Sequence, residues 1–221
     1  LTDDLVVSVT YADVDYLGLA VVGWIELPTG RTGGHAATVP LARGIDLPEI
    51  SGAAPLRYGD RHLDLALVTD DGGTHITATW TEADGRPGSL DVTIADPPGH
   101  ESLNVVIPWS LRRFQYTSKH QARPATGTLV VGDDRRRLGG DGDGDGDEAW
   151  GVLDVGRGRW PYATRWNWGG GAGPTADGRT VGIQLGGMWT DGTGFTENGN
   201  VLDGRLEKVG ADLTWTYDWD R

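Results

Sequence analysis

The residues best suited to chemistry crowd into one run, Gly182-Ile183-Gln184-Leu185-Gly186-Gly187-Met188-Trp189-Thr190-Asp191-Gly192-Thr193-Gly194-Phe195-Thr196-Glu197-Asn198-Gly199. Glu197 is the candidate proton donor. A carboxyl group pushed into apolar, tryptophan-lined surroundings is costly to ionise, so desolvation would raise its pKa towards the range useful to a general acid. Gln184, Trp189 and Asn198 are its candidate ligand-binding neighbours, and Asp191 is a second carboxyl that equally suits an Asx turn beside Gly192. The alternative is that the polar residues of this run merely satisfy a tight, glycine-rich corner.

Two further runs could carry chemistry. In Tyr116-Thr117-Ser118-Lys119-His120-Gln121, His120 has the one side chain that ordinarily titrates near neutral pH and could relay a proton or orient water. Strand alternation sends Lys119 and His120 to opposite faces, so they are not expected to act together, whereas Tyr116, Ser118 and His120 share a face. The alternative is a hydrogen-bonded histidine at a strand end. From Trp150 to Trp168, Trp160, Tyr162, Trp166 and Trp168 either fill a core or line an apolar ligand cavity. An extended chain would set Tyr162, Thr164, Trp166 and Trp168 on one face. Gly156 and Gly158 permit a bulge or a close backbone approach, and Asp154 could pair with Arg157.

The elements that must position these residues are strands. Leu63, Leu65 and Leu67 alternate with polar or small residues, as do Ile76, Ala78 and Trp80, then Leu90, Val92 and Ile94, and then Val181, Ile183 and Leu185. Leu213, Trp215, Tyr217 and Trp219 give the clearest alternation of all. Turn signals at hairpin spacing separate the runs: Asp71-Gly72-Gly73, Asp84-Gly85, Gly132-Asp133-Asp134, Asp177-Gly178 and Asp203-Gly204. No sustained 3.6-residue stripe occurs. Some ten to twelve strands are expected, and an antiparallel meander of that size must curl or close to remove its edges, so a barrel or a pair of barrels is predicted. Composition shifts near residue 110, with seven of the ten tryptophans between Trp150 and Trp219. The expected division is therefore 1–110, plainly alternating, and 111–221, aromatic and glycine-rich, carrying the site.

The exclusions are broad. The chain has no cysteine, hence no disulfide, thiolate metal site or thiol nucleophile. The net charge of -13 repels nucleic acid and anionic membrane surfaces. No apolar run is long enough to span a bilayer and no signal peptide opens the chain, which reads as cytoplasmic. No G-x-S-x-G elbow, Walker loop, dinucleotide fingerprint or H-E-x-x-H is present, and His35, His62, His75, His100 and His120 are dispersed, so neither a cofactor nor a metal is expected. Asp141, Asp143, Asp145 and Gly146 imitate the start of a calcium loop, but Val152 stands where its bidentate glutamate is required. Only two lysines, Lys119 and Lys208, stand among nineteen basic residues, so Lys119 draws the eye.

The runs Ser118–Gln121, Leu153–Tyr162, Trp166-Asn167-Trp168 and Trp189–Asn198, with Leu5–Ser8 and Ala12–Tyr16, resemble the bacterial domain-of-unknown-function family 2804 over nearly the whole chain. Members of that family extend further at both ends, so the chain reads as an internal portion. The family is more distantly similar to carotenoid 1,2-hydratases and lipocalin-like Diels–Alderases. That resemblance implies an antiparallel lipocalin-like (calycin) fold, two barrels side by side, with greasy substrates handled near their junction; it carries no established catalytic residue. The function expected is a hydratase or isomerase using acid catalysis on an alkene or enol of an apolar small molecule, with Glu197 as acid, His120 as relay, and Trp166, Trp168 and Trp189 facing developing positive charge. The alternatives are a non-catalytic carrier of a lipophilic ligand and a structural β protein without a ligand.

Overall fold

The protein is described by a computed structural model over residues 1–140 and 148–218. The acidic repeat with Asp141, Asp143, Asp145 and Gly146, and the terminal Trp219, lie outside the described residues. Among the described residues every regular element is a strand. The first seven are β1 (Leu5–Asp13), β2 (Leu17–Glu26), β3 (Arg31–Pro40), β4 (Leu56–Gly59), β5 (Leu63–Asp70), β6 (Gly73–Thr81) and β7 (Pro87–Ala95). Then come β8 (Leu103–Ser110), β9 (Arg113–Val131), β10 (Asp134–Leu138) and β11 (Trp150–Arg159). The last four are β12 (Asn167–Pro174), β13 (Thr180–Gly187), β14 (Asn198–Leu202) and β15 (Arg205–Val209).

All the registered pairings are antiparallel. They form a β1-β2-β3 sheet, a β10-β9-β7-β6-β5-β4 sheet in which β8 and β11 also pair with β9, and a β12-β13-β14-β15 sheet. Among the described residues none of these strand orders closes on itself into the expected barrel. No helix of the described residues is long and apolar enough to cross a membrane. The turn signals sit where hairpins need them. Asp203 and Gly204, both at positive φ (48° and 79°), close the β14–β15 hairpin with Leu202 opposite Arg205, as a type I′ turn requires. Residues 211–218, in contrast, form no strand: their alternation finds no ladder partner, although the Trp215 indole packs against Gly187.

The chain divides into two compact units that interleave in sequence: unit 1 is Leu1–Pro97 with Arg123–Gly151, and unit 2 is Pro98–Ala122 with Val152–Arg221. Of the three changes of unit, the first falls between β7 and β8 and the other two inside strands, β9 and β11. In β9 the place is marked by Ala122 at φ 54° and by Pro124, which cannot donate to a ladder.

Unit 1 follows the alternation read from its sequence. Val22, Leu63, Leu65, Leu90 and Leu129 are almost fully buried and belong to one apolar cluster; each such side chain contributes about 1.5–3 kcal/mol. One carboxylate sits inside. Glu82 accepts the indole N–H of Trp24 (2.8 Å) and of Trp80 (2.9 Å) and the backbone N–H of Gly34 (2.9 Å). Burial pushes the Glu82 carboxyl up, but these three donors and Arg86 outweigh it and hold it below the usual glutamate range.

Unit 2 is built the other way. Of the buried hydrophobic residues only Leu103, Ile107, Ala122, Trp189 and Val201 belong to it, whereas of the buried polar residues only Thr2, Glu82 and Arg123 do not. In β13 the apolar face is the outer one. Ile183 is 39% exposed while Gln184 is 1% exposed. The interior of unit 2 is polar.

Candidate functional site

Strand β9 supplies the floor of this interior. Gln115, Thr117, Lys119 and Gln121, alternate residues on one face, are all buried. Each meets a partner from another segment of unit 2. The Trp160 indole donates to Gln115 Oε1 (2.5 Å), the Thr117 hydroxyl donates to Asp154 Oδ1 (3.2 Å), and Gln121 Nε2 donates to Gln184 Oε1 (2.8 Å). Gly156 and Gly158 let β11 come this close, since a Cβ on Gly156 would lie 2.3 Å from Gln115 Nε2.

Lys119 is the centre. Its Nζ donates to Asp154 Oδ2 at 2.5 Å and lies 3.0 Å from Glu197 Oε2, with the lysine 5% and Glu197 2% exposed. The other Glu197 oxygen, Oε1, accepts the Trp189 indole N–H at 2.5 Å. Glu197 Oε2 is close enough to the ammonium for an ion pair but makes no aligned hydrogen bond. Asp154, half exposed, carries the cluster to the surface.

The loop from Met188 to Glu197 and the first residue of β14 hold the glutamate in place. A Cβ on Gly186 would lie 2.0 Å from Glu197 Oε1, so only glycine leaves room for the carboxylate. Fully buried Asn198 accepts the Gly186 N–H (2.6 Å) and donates to the Ala211 carbonyl (3.2 Å). The second lysine of the chain converges on the same loop: Lys208 Nζ donates to the carbonyl and hydroxyl of Thr196 (2.5 and 2.6 Å) and to the Asn198 carbonyl (3.2 Å). Burial of its amine lowers the Lys208 pKa, and the charge of Glu197 partly opposes this. In a chain that uses arginine almost everywhere, both lysines serve this segment, each with its compact ammonium among several oxygen acceptors.

Above the ion pair lies an indole cluster. Trp160 stacks on Trp189 (centroids 5.8 Å, planes 11° apart), Trp109 meets both at 5.5 and 5.8 Å, and Trp166 meets the edge of Trp160 at 6.3 Å. The Trp109 indole also donates to the Trp189 carbonyl (3.0 Å). Exposure rises outwards, from Trp189 at 7% to Trp160 at 36% and Trp166 at 61%.

The residues singled out in the sequence separate into groups. Glu197, Gln184, Trp189, Asn198 and Trp160 belong to the cluster, and Trp168 joins it by donating to Gln184 Oε1 (3.1 Å). His120 is directed elsewhere: its Nε2 lies 3.1 Å from the Ser118 hydroxyl, while the neighbouring Lys119 takes the Glu197 side. Burial, then the nearby His100, lowers the His120 pKa and favours the neutral ring. Tyr116 donates to Asn104 Oδ1 (2.8 Å), outside the cluster. Asp191 accepts the Met188 N–H (2.9 Å), pinning the turn in which Met188 adopts φ 68°. Tyr162 is fully exposed and lines nothing. Pro161 follows the end of β11, and residues 160–166 are irregular, so no alternation gathers Tyr162, Thr164 and Trp166 on one face. Asp154 pairs with Lys119 in place of the expected Arg157.

Lys119, Asp154, Thr117, Gln115, Gln121 and Trp109 were not read as site residues. The signal for four of them was present, a period-two polar row on a strand with one of only two lysines in it. Five buried side-chain atoms in unit 2 lack a hydrogen-bond partner among the described residues: Gln121 Oε1, Gln184 Nε2, Thr190 Oγ1, Glu197 Oε2 and Trp215 Nε1. No group of three or more His, Asp or Glu among the described residues is arranged to hold a metal ion.

Over residues 1–221 the chain matches the family model Domain of unknown function (DUF2804). No curated protein and no solved structure matches it.

Proposed function

We propose, for a chain that belongs to the DUF2804 family, that unit 2 binds an apolar small molecule bearing one polar group and moves a proton on it, as an isomerase of the enol–ketone type does. One observation carries this reading: the buried interior of unit 2 holds five polar atoms without a hydrogen-bond partner among the described residues, one of them an oxygen of the glutamate in a buried lysine–glutamate pair whose other oxygen accepts from a stacked indole. Each buried polar atom left unpaired costs about 1–3 kcal/mol, and such costs persist where function needs them. A carbonyl or hydroxyl on a ligand would meet Gln184 Nε2, Thr190 Oγ1 or the Lys119 ammonium, while its apolar body lay along Trp160 and Trp189.

The hydrogen-bond roles favour isomerisation over alkene hydration. Glu197 Oε1 already accepts from an indole and Oε2 faces an ammonium, so the group suits a carboxylate base. In the proposed step Glu197 Oε2 takes the proton from the carbon next to a ligand carbonyl. Lys119 donates a hydrogen bond to the resulting enolate oxygen, and the Glu197 carboxyl, after exchanging its proton with solvent, protonates a different carbon; one proton leaves the ligand and one is added. A lipocalin-like origin for the two units belongs to the same proposal and is supported by the all-antiparallel hairpin connectivity.

The test uses a panel of bicyclic β,γ-unsaturated ketones in deuterated water, with deuterium uptake read by mass spectrometry and binding by tryptophan fluorescence. Glu197→Gln should lower exchange at least 100-fold while binding changes little. Unchanged exchange in that variant refutes the catalytic step. Binding without any exchange in the parent protein leaves the carrier reading, and the absence of both overturns the proposal.

A further inference from the structure

We propose that the tip of the β8–β9 hairpin and the β11–β12 connection form a docking surface for an anionic phospholipid membrane. These two segments of unit 2 lie side by side. Trp109 and Trp160 are in ring contact at 5.5 Å, the Arg113 guanidinium donates to the Trp160 carbonyl, and a Cβ on Gly158 would meet the Phe114 carbonyl. Together they present Leu111 at 106%, Tyr162 at 103% and Trp166 at 61% exposure. Soluble surfaces rarely project a leucine, a tyrosine and a tryptophan from adjoining tips, whereas aromatic side chains with a polar end are the residues that settle at a lipid headgroup layer.

Charge selects the kind of membrane. Arg112, Arg113, Arg159 and Arg165 surround those tips. No Asp or Glu occurs from Ser102 to Gly132 or from Val155 to Ala176, although the chain as a whole carries -13. Among the described residues none of the four arginines at the tips is in an ion pair, as is also true of Arg43, Arg57, Arg61, Arg135 and Arg137, but only at the tips do such arginines adjoin exposed apolar and aromatic side chains in stretches without a carboxylate. The overall negative charge opposes approach to any polyanion, but it is screened beyond about 8–10 Å at physiological salt, so a cationic tip that alone touches the surface decides the contact. A nucleic acid would run past the acidic remainder of the chain and would have no use for an exposed leucine. A second copy of this face would set arginine against arginine.

The full chain should co-sediment with vesicles of phosphatidylcholine mixed with phosphatidylglycerol and not with phosphatidylcholine alone, and added salt should release it. R112Q/R159Q/R165Q should weaken binding roughly 100-fold, on the order of one kcal/mol per arginine near an anionic surface. L111S/Y162S should also weaken it, and the tryptophan fluorescence of the bound parent protein should be quenched by spin-labelled lipid. Equal binding to both vesicle types, or binding to neither, overturns the proposal. So does arginine-dependent binding to an RNA oligonucleotide in place of vesicles, or a dimer in sedimentation velocity that the L111S/Y162S variant abolishes.

Discussion

Lys119 faces two carboxylates from inside a protein unit, and its removal should show what the arrangement is for. Lys119→Met leaves Glu197 buried without its cation and is expected to cost about 3–5 kcal/mol in urea unfolding. Lys119→Met combined with Glu197→Gln removes both charges, so the pair of changes should cost less than the lysine change alone. Strict additivity of the two would mean that they do not interact. Gly186→Ala drives a methyl into the same carboxylate and should destabilise by about 1–3 kcal/mol or displace Glu197, seen as a changed tryptophan emission from Trp189. Glu82 in unit 1 provides the pH test. Its folded pKa lies below the unfolded value, so its contribution is complete above the ordinary glutamate range and is lost as pH falls through the folded value. Glu82→Gln should therefore be less stable at neutral pH and show a flatter decline on acidification.

At the scale of elements, β9 is a strand shared by the two units. Beyond Pro124 it forms an ordinary ladder with β7, Leu90 opposite Leu129, and before Ala122 it bears the buried polar row. Ala122 at φ 54° is strained for a residue with a Cβ. Ala122→Gly should be neutral or stabilise by up to about 1 kcal/mol, whereas Ala122→Val should destabilise by more; thermal melting distinguishes these outcomes. Strand β13 shows why pattern reading has limits. Val181, Ile183 and Leu185 alternate as a core-facing strand does, yet Gly182, Gln184 and Gly186 are the buried side. Alternation reports that the two faces differ, and only the neighbours across the sheet decide which face is covered.

Across the whole molecule, one unit is held by apolar burial and the other by a hydrogen-bonded polar interior. Apolar burial is the larger and less conditional source of stability, so the two should not resist opening equally. Amide hydrogens of β13 and β14 are expected to exchange faster than those of β5–β7, as read by hydrogen exchange with mass spectrometry. Slower exchange in β13 would mean that the polar network stabilises more than its unpartnered atoms suggest.

From residue order alone followed the all-β antiparallel class, the hairpin turns, the concentration of polar residues between Gln184 and Asn198, and the match to a family. These depend on local rules: a side-chain period of two, glycine at positive φ, and motifs contiguous in the chain. The fold alone decided that Lys119 and Asp154 join Glu197, that His120 and Tyr162 stand apart from it, and that residues 211–218 form no strand. Partners 35 and 78 positions apart in sequence meet through strand pairing and loop closure, which no local spacing encodes.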